Sequence, residues 1–581
     1  MIGVGSMIGS GVFLLPGQLV GVVAGPISLL AFFISGLIAL LAGLCCTECA
    51  LQIPETGAAY AFAYATLGEM VAFLIGWGGV ATRILGVALI AQVWSGYLDE
   101  ATGGYIQNAT VKFVLGGEEW DAPLLSSYPD FVAGLVILAS NALVSFGTNV
   151  FSKVNNVFVL STLLTLTFVF IVAMIHANFF YLVEHGFAPR GVGLDEVVAS
   201  VFTAYLGYAG FETIALCAEE AKDQTKDLLM GLLAAVAISM LVYLAGSLSI
   251  TVLAEYSNID LKSPFEAVFD ELDGLHWMKY IVAISALCSV TGGALNFAYS
   301  STRFIYPMSR DGLLPAMLSK TSETTKTPLL ANFLGACLSL VLGVLIDIKF
   351  LIQVPSMLFT LETVGVIFAA VILRYNPTLQ SEYMEVESKD ESCGTGGSSV
   401  PHVNRHHSNL EMKGLLDQMQ ETFTGDNNAG SDPPSPPSLI KKASTVLFQW
   451  IRNHPTRSVI LSLCLHITFE FLFVGLLTFT LEDFSQASDS SLVLWIVICG
   501  VLCLIACFPL LLLPQYRDEL PFKVPLMPFL PLIGLLSTTI LLLHFDFLAF
   551  IQVLVWTCLG ILVYFTYGMK HSVEGARQDG H

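Results

Sequence analysis

Two short stretches of this chain combine residue types that free the backbone itself to do chemistry. Gly3, Gly5, Gly9 and Gly11 punctuate a run that also holds Ser6, Met7, Ile8 and Ser10, and Gly207-Tyr208-Ala209-Gly210-Phe211-Glu212 repeats the pattern far downstream, each inside an apolar stretch. Glycine gives a helix no side chain to pack and costs it about 1 kcal/mol per residue relative to Ala. Where such a helix gives way inside an apolar solvent, its released N–H and C=O groups must be satisfied by protein or by a bound solute. Amides at the open end of a half-helix attract an anion and open carbonyls attract a cation. An α-amino acid carries both charges on one carbon. The competing explanation for the glycines is close helix–helix contact of the small-xxx-small kind.

The elements that must position these stretches follow from composition. With 55% hydrophobic and 12% charged residues, the 581-residue chain is outside the range of soluble globular proteins. Apolar runs of helical length recur from end to end, each able to cross a hydrocarbon core of about 30 Å, which predicts an all-α membrane protein of about fourteen transmembrane helices and excludes a β-barrel. Five spans are expected in 1–176 and five in 195–374, and an odd number per half inverts one half relative to the other, with the two glycine-rich spans in corresponding places. Residues 375–456 lose the apolar pattern and read as a disordered cytoplasmic linker. Four more spans are expected in 457–567, then a tail over 568–581. The first glycine run follows Met1 so closely that a further half-helix upstream is expected.

Orientation comes from the basic residues. With the N-terminus inside, all 25 Lys and Arg fall on the inner side except Lys112, Arg190, Lys262, Lys279, Lys349 and the intramembrane Arg83. The same orientation puts the sequon Asn108-Ala109-Thr110 outside, making Asn108 the candidate glycosylation site. The outer loops are acidic, which either enriches cationic solutes near the mouth or simply solvates the loops. Neither a hydrolytic triad, a nucleotide-binding loop nor metal-ligand spacing is present; His402, His406 and His407 match no ligand pattern, so no metal, cofactor, nucleic-acid partner or enzymatic activity is expected.

Several motifs carry a resemblance. Gly9-Ser10-Gly11, Leu44-Cys45-Cys46-Thr47-Glu48 with Pro54-Glu55-Thr56-Gly57-Ala58-Ala59-Tyr60, Gly210-Phe211-Glu212-Thr213-Ile214-Ala215 and Glu219-Glu220-Ala221-Lys222 resemble the cationic amino acid transporter family of the amino acid–polyamine–organocation superfamily. So do Arg303-Phe304-Ile305-Tyr306, Asp311-Gly312-Leu313-Leu314, Leu373-Arg374-Tyr375, Phe522-Lys523-Val524-Pro525 and Tyr564-Phe565-Thr566-Tyr567-Gly568. The segments 94–99 and 127–131 are most similar to the fourth member type. The resemblance spans essentially the whole chain and implies a LeuT-like 5+5 inverted repeat followed by four extra helices.

Carried over residue by residue, it implies that amides around Gly9, Ser10 and Gly11 hold a substrate carboxylate. Carbonyls near Ile8, Leu206, Gly207 and Ala209 would receive the α-ammonium, with Gly210 at the second break and Tyr208 as an aromatic gate. Glu48 would pin the first inner loop, or be a plain interfacial carboxylate. Glu212 replaces the family's aspartate, moving the charge by roughly 1.5 Å. Arg303 would pair with an acid such as Glu219 or Glu220. Arg83 and Glu362 depart from the family pattern: Arg83 either repels a cationic side chain or pairs with an acid, of which Glu362 is one candidate. The implied function is facilitative amino acid transport across the plasma membrane by alternating access, with L-arginine, L-lysine and ornithine as the family's substrates. The alternatives are a non-transporting nutrient sensor or a carrier preferring neutral substrates.

Overall fold

Lipid tails offer no hydrogen bonds, so a spanning chain must bond its backbone internally, and helices do this within one segment. The computed structural model describes residues 1–9, 11–118, 120, 122, 124–180, 194–218, 221, 223–254, 264–272, 275–376, 449–482, 490–515 and 522–573. Ser10, Glu219, Glu220, Lys222 and the part of the expected linker from 377 to 448 lie outside the described residues. Apart from one isolated bridge between Leu125 and Ile346, the regular structure among the described residues is helical.

The first set of spans opens with an interrupted one, α1 (Ile2–Ile8) and α2 (Leu15–Gln18), and continues through α3 (Ser28–Gln52), α4 (Ala59–Thr66), α5 (Glu69–Ala101), α6 (Tyr105–Phe113), α7 (Phe131–Ser145) and α8 (Thr148–Ile175). The second set also opens interrupted, with α9 (Leu194–Leu206) and α10 (Glu212–Leu216). It continues through α11 (Gln224–Leu253), α12 (Pro264–Glu271), α13 (Met278–Arg310), α14 (Leu329–Leu345) and α15 (Ile348–Tyr375). Beyond the linker come α16 (Pro455–Glu482), α17 (Ser490–Ala506), α18 (Phe508–Leu512), α19 (Phe529–Leu543) and α20 (Phe547–Val563). Nine of the described helices are long and apolar enough to cross a membrane, four shorter apolar ones fall where four of the remaining five spans are expected, and the fifth is the interrupted first span.

Corresponding elements of the two sets pack on each other: α3 lies along α11 and α5 along α13. This is the contact pattern of an inverted repeat, in which a two-fold axis relates the halves. Burial separates core from periphery. The most apolar 18-residue window is 89% buried in α15 and 78% in α5, against 17% in α17 and 22% in α20, so the last helices present mainly apolar surface outward, as a lipid solvent requires. Helix α20 is fixed to α5 by Trp77 and Trp556, whose rings stack at 4.7 Å while each indole N–H donates to the other residue's carbonyl.

One connection differs from expectation, which ends the second apolar span at 46 and starts the third at 67: helix α3 runs on to Gln52, and α4 fills part of the interval. The reason lies in Glu48: a carboxylate looks like a span end, but here it is fully buried and paired, so the helix has no cause to stop.

Candidate functional site

The two breaks are real interruptions, and they meet. Helix α1 ends at Ile8 and α2 starts at Leu15, with turns at Gly9 and over 11–14, while α9 ends at Leu206 and the turn at 207–211 passes through Gly210 at φ +119°. That φ is open to glycine and strained for other residues. A Cβ on Gly210 would lie 2.5 Å from Ser6 Cβ and 3.0 Å from its carbonyl carbon. A Cβ on Gly9 would lie 2.7 Å from Gly293 N and 2.8 Å from Gly293 Cα. The end of α1 and the start of the first break are thus held between the second break and α13, Gly9 meeting Gly293 at backbone level. Ser6 Oγ donates to Thr213 Oγ1 at 3.2 Å, adding a side-chain tie between α1 and α10.

The released polar groups have identifiable partners. Gly207 O and Met7 O both accept from the Tyr243 hydroxyl, at 3.0 and 2.9 Å. Ile8 O accepts from Val12 N at 3.3 Å and from Ser289 Oγ at 3.5 Å. Leu206 O accepts from Ala209 N at 3.1 Å, and Gly210 N donates to Glu212 Oε2 at 3.0 Å. Tyr208 is buried with its hydroxyl on Phe32 O at 2.9 Å, so it ties the second break to α3. Gly9, Gly11, Val93, Tyr97, Ser289 and neighbouring residues line a cavity of about 10 Å³ beside the first break. That holds about one water. A larger solute needs these helices to part.

Next to the second break sits a buried charge cluster. Arg83 on α5 binds Glu362 of α15 in two arms, Nη1 to Oε2 at 2.5 Å and Nη2 to Oε1 at 3.1 Å. Its Nη2 also reaches Glu212 Oε1 at 3.2 Å, its Nη1 donates to Gly79 O at 3.1 Å, and its guanidinium lies 3.9 Å from the centre of the Phe304 ring. All three charged side chains are nearly inaccessible, Arg83 at 1% exposure. A guanidinium forked onto one carboxylate and touching a second satisfies the demand that a buried charge be paired and hydrogen-bonded. The expected question about Arg83 has a geometric answer: it is paired, and Glu362 is a partner.

The remaining candidates lie elsewhere. Glu48 takes Arg374 Nε at 2.8 Å and Nη2 at 2.6 Å, together with the amide of Val524 at 2.6 Å, so it joins α3, α15 and the segment leading into α19. Arg303 approaches Leu216 O and Thr148 Oγ1 at 3.4 Å each and lies 4.5 Å from the Tyr299 ring. Its expected partners Glu219 and Glu220 are outside the described residues, as is Ser10. Asn108 is exposed on α6.

Met7, Ser289 and Tyr243 are contributors that the motifs do not single out. For Tyr243 a signal exists: Ser239, Tyr243 and Ser247 recur every fourth residue in an otherwise apolar helix, a polar stripe on one face. All three are buried, with Ser239 on Met7 Sδ and Ser247 on Ser28.

Comparison with known proteins follows the same geography. The family model described as amino acid permease matches residues 1–386, and a second, the C-terminus of AA_permease, matches 522–572. The human protein named cationic amino acid transporter 4 is 30% identical, over 100% of this chain and 87% of that one. The Bacillus subtilis methylthioribose transporter is 28% identical over 66% of this chain and 81% of its own. An Arabidopsis thaliana protein named cationic amino acid transporter 4, vacuolar, is 28% identical over 98% of this chain and 91% of its own.

Proposed function

The chain belongs to the amino acid permease family, and from that premise we propose that it moves amino acids across the plasma membrane by alternating access, as a facilitative carrier, with the substrate backbone held between the two interrupted spans. Amides of the first break around Gly9 and Gly11, with Ser10, receive the carboxylate. Carbonyls of Ile8, Leu206, Gly207 and Ala209 receive the ammonium, and the open carbonyl of Met7 joins them. Backbone dipoles suit this task because they offer partial charge of either sign and leave no unpaired full charge behind when the substrate departs.

The observation that carries the reading is the close approach of the second break to the last turn of α1, Gly210 against Ser6, where a side chain on Gly210 would clash. Two half-helix ends that touch can grip one small zwitterion and can also be pulled apart by it. The small volume beside Gly9 fits a closed form of such a site.

A second reading concerns the side chain. The resemblance implies cationic substrates, yet Glu212 and Glu362, buried acids beside the second break among the described residues, are already engaged by Arg83. A cationic side chain would compete with a tethered guanidinium for the same carboxylates. That observation favours neutral amino acids.

Reconstitution of the full chain into proteoliposomes tests both readings. The expected result is saturable uptake of labelled L-leucine or L-arginine that needs no ion gradient, with L-leucine preferred if Arg83 sets the choice. Binding of either without flux would support a sensor and defeat the carrier.

A further inference from the structure

One carbonyl from each interrupted span shares a donor that belongs to the protein. Tyr243 is fully buried on α11, and its hydroxyl touches one carbonyl from each interrupted span, Met7 O at 2.9 Å and Gly207 O at 3.0 Å. Its ring lies flat on Phe32 of α3, centres 4.9 Å apart and planes within 10°, which fixes the hydroxyl's position. Gly207 is shaped to admit it: a Cβ there would stand 2.7 Å from both Tyr243 Cζ and Oη. A phenol offers one hydrogen and must divide it between two acceptors, whereas an ammonium offers three and carries a charge. The hydroxyl is therefore a weaker version of the donor that an amino acid would bring to the same two oxygens.

We propose that Tyr243 is the carrier's own stand-in for the substrate ammonium, holding the two breaks together while the site is empty so that the unloaded protein can return across the membrane. The inference rests on the carrier reading above and names the residue that makes net, one-way transport possible. When substrate binds, its ammonium takes the Met7 and Gly207 carbonyls from the hydroxyl. When substrate leaves, the hydroxyl takes them back. Without that donor the empty protein must change sides with two buried carbonyls unpartnered, while the loaded protein is unaffected, since its substrate supplies the hydrogens. Net uptake needs an empty return in every cycle. Exchange does not.

The test compares these two modes for the full chain in proteoliposomes, using labelled L-arginine and L-leucine as probes. Tyr243→Phe keeps the ring and its stack on Phe32 and deletes only the donor. It is expected to slow net uptake into empty vesicles about tenfold, while exchange into vesicles preloaded with the same amino acid stays within about twofold of the unaltered protein. Phe32→Leu, which removes the ring that fixes the hydroxyl's position and alters no group assigned to the substrate, is expected to give the same split to a smaller degree. An equal loss in both modes, or an unchanged ratio of exchange to net uptake, in protein that unfolds at the usual temperature overturns the inference. Should Tyr243→Phe not fold, Phe32→Leu reads the same ratio. If the unaltered protein moves neither probe in either mode, the carrier reading itself falls, an outcome visible before any variant is made.

Discussion

Arg83 and Glu362, far apart in sequence, form a forked ion pair in the interior, with Nη1 2.5 Å from Oε2 and Nη2 3.1 Å from Oε1. Glu212 completes the cluster at 3.2 Å and extends its other oxygen to the amide of Gly210, 3.0 Å away. The charge network and the second helix break are therefore one mechanical unit. Any shift of α10 must pull on Arg83, and through it on α5 and α15.

The first prediction follows from charge balance. Arg83→Met leaves two carboxylates buried without a cation, which is expected to cost about 3–5 kcal/mol. The triple change Arg83→Met, Glu212→Gln, Glu362→Gln removes the charges together and is expected to recover most of that loss. Thermal unfolding of the purified proteins in one detergent measures both, and a single variant as stable as the triple one would show that pairing is not what the cluster contributes.

Shortening Glu212 tests the link to the break. Glu212→Asp cannot keep both the Arg83 contact and the Gly210 amide contact without moving the backbone, because one methylene is about 1.5 Å. The protein is expected to fold and to transport with a rate changed by about tenfold, the effect of ~1.4 kcal/mol on one state relative to another. Initial rates in proteoliposomes, set beside unfolding temperature, separate this from simple destabilisation.

Gly210→Ala is expected to be far more damaging than its size suggests. It places a Cβ at φ +119° and 2.5 Å from Ser6 Cβ, adding a clash to a backbone strain of about 1–3 kcal/mol. Gly96→Ala is the matched control, since nothing lies within 4 Å of its added Cβ. The expected outcome is loss of transport for the first and wild-type behaviour for the second, read by uptake and by yield of monodisperse protein.

Removing the buried charge at Glu48 should release the segment before α19. Glu48→Gln keeps the shape but weakens both charge-assisted bonds from Arg374 and the bond from Val524 N. Half-buried Lys523, replaced by Cys as a reporter, is expected to react faster with a polar maleimide in the Glu48→Gln background than without it. Equal rates would mean that Glu48 does not hold this segment.

How far the sequence carries can be argued from these same residues. The interruptions at Gly9 and Gly210 were readable because glycine inside an apolar helix has few explanations, and each explanation is local. Glu48 was readable as a special carboxylate but not as a buried one, because its partners Arg374 and Val524 come from distant parts of the chain. Arg83 and Glu362 stood out as costly charges in the membrane, and pairing was one of two fates open to Arg83. Tyr243 did not stand out, since one tyrosine in an apolar helix is ordinary, and only the stripe it forms with Ser239 and Ser247 hinted at a polar face.

By itself the chain determined its solvent, its helices and where two of them must give way, because apolar length, glycine content and the need to satisfy backbone groups act over a few neighbouring residues. Tertiary structure alone decided which acids Arg83 meets, which carbonyls one phenol can reach and how close the two breaks lie. Those are distances between segments tens to hundreds of residues apart, set by the packing of whole helices, and no local spacing encodes them.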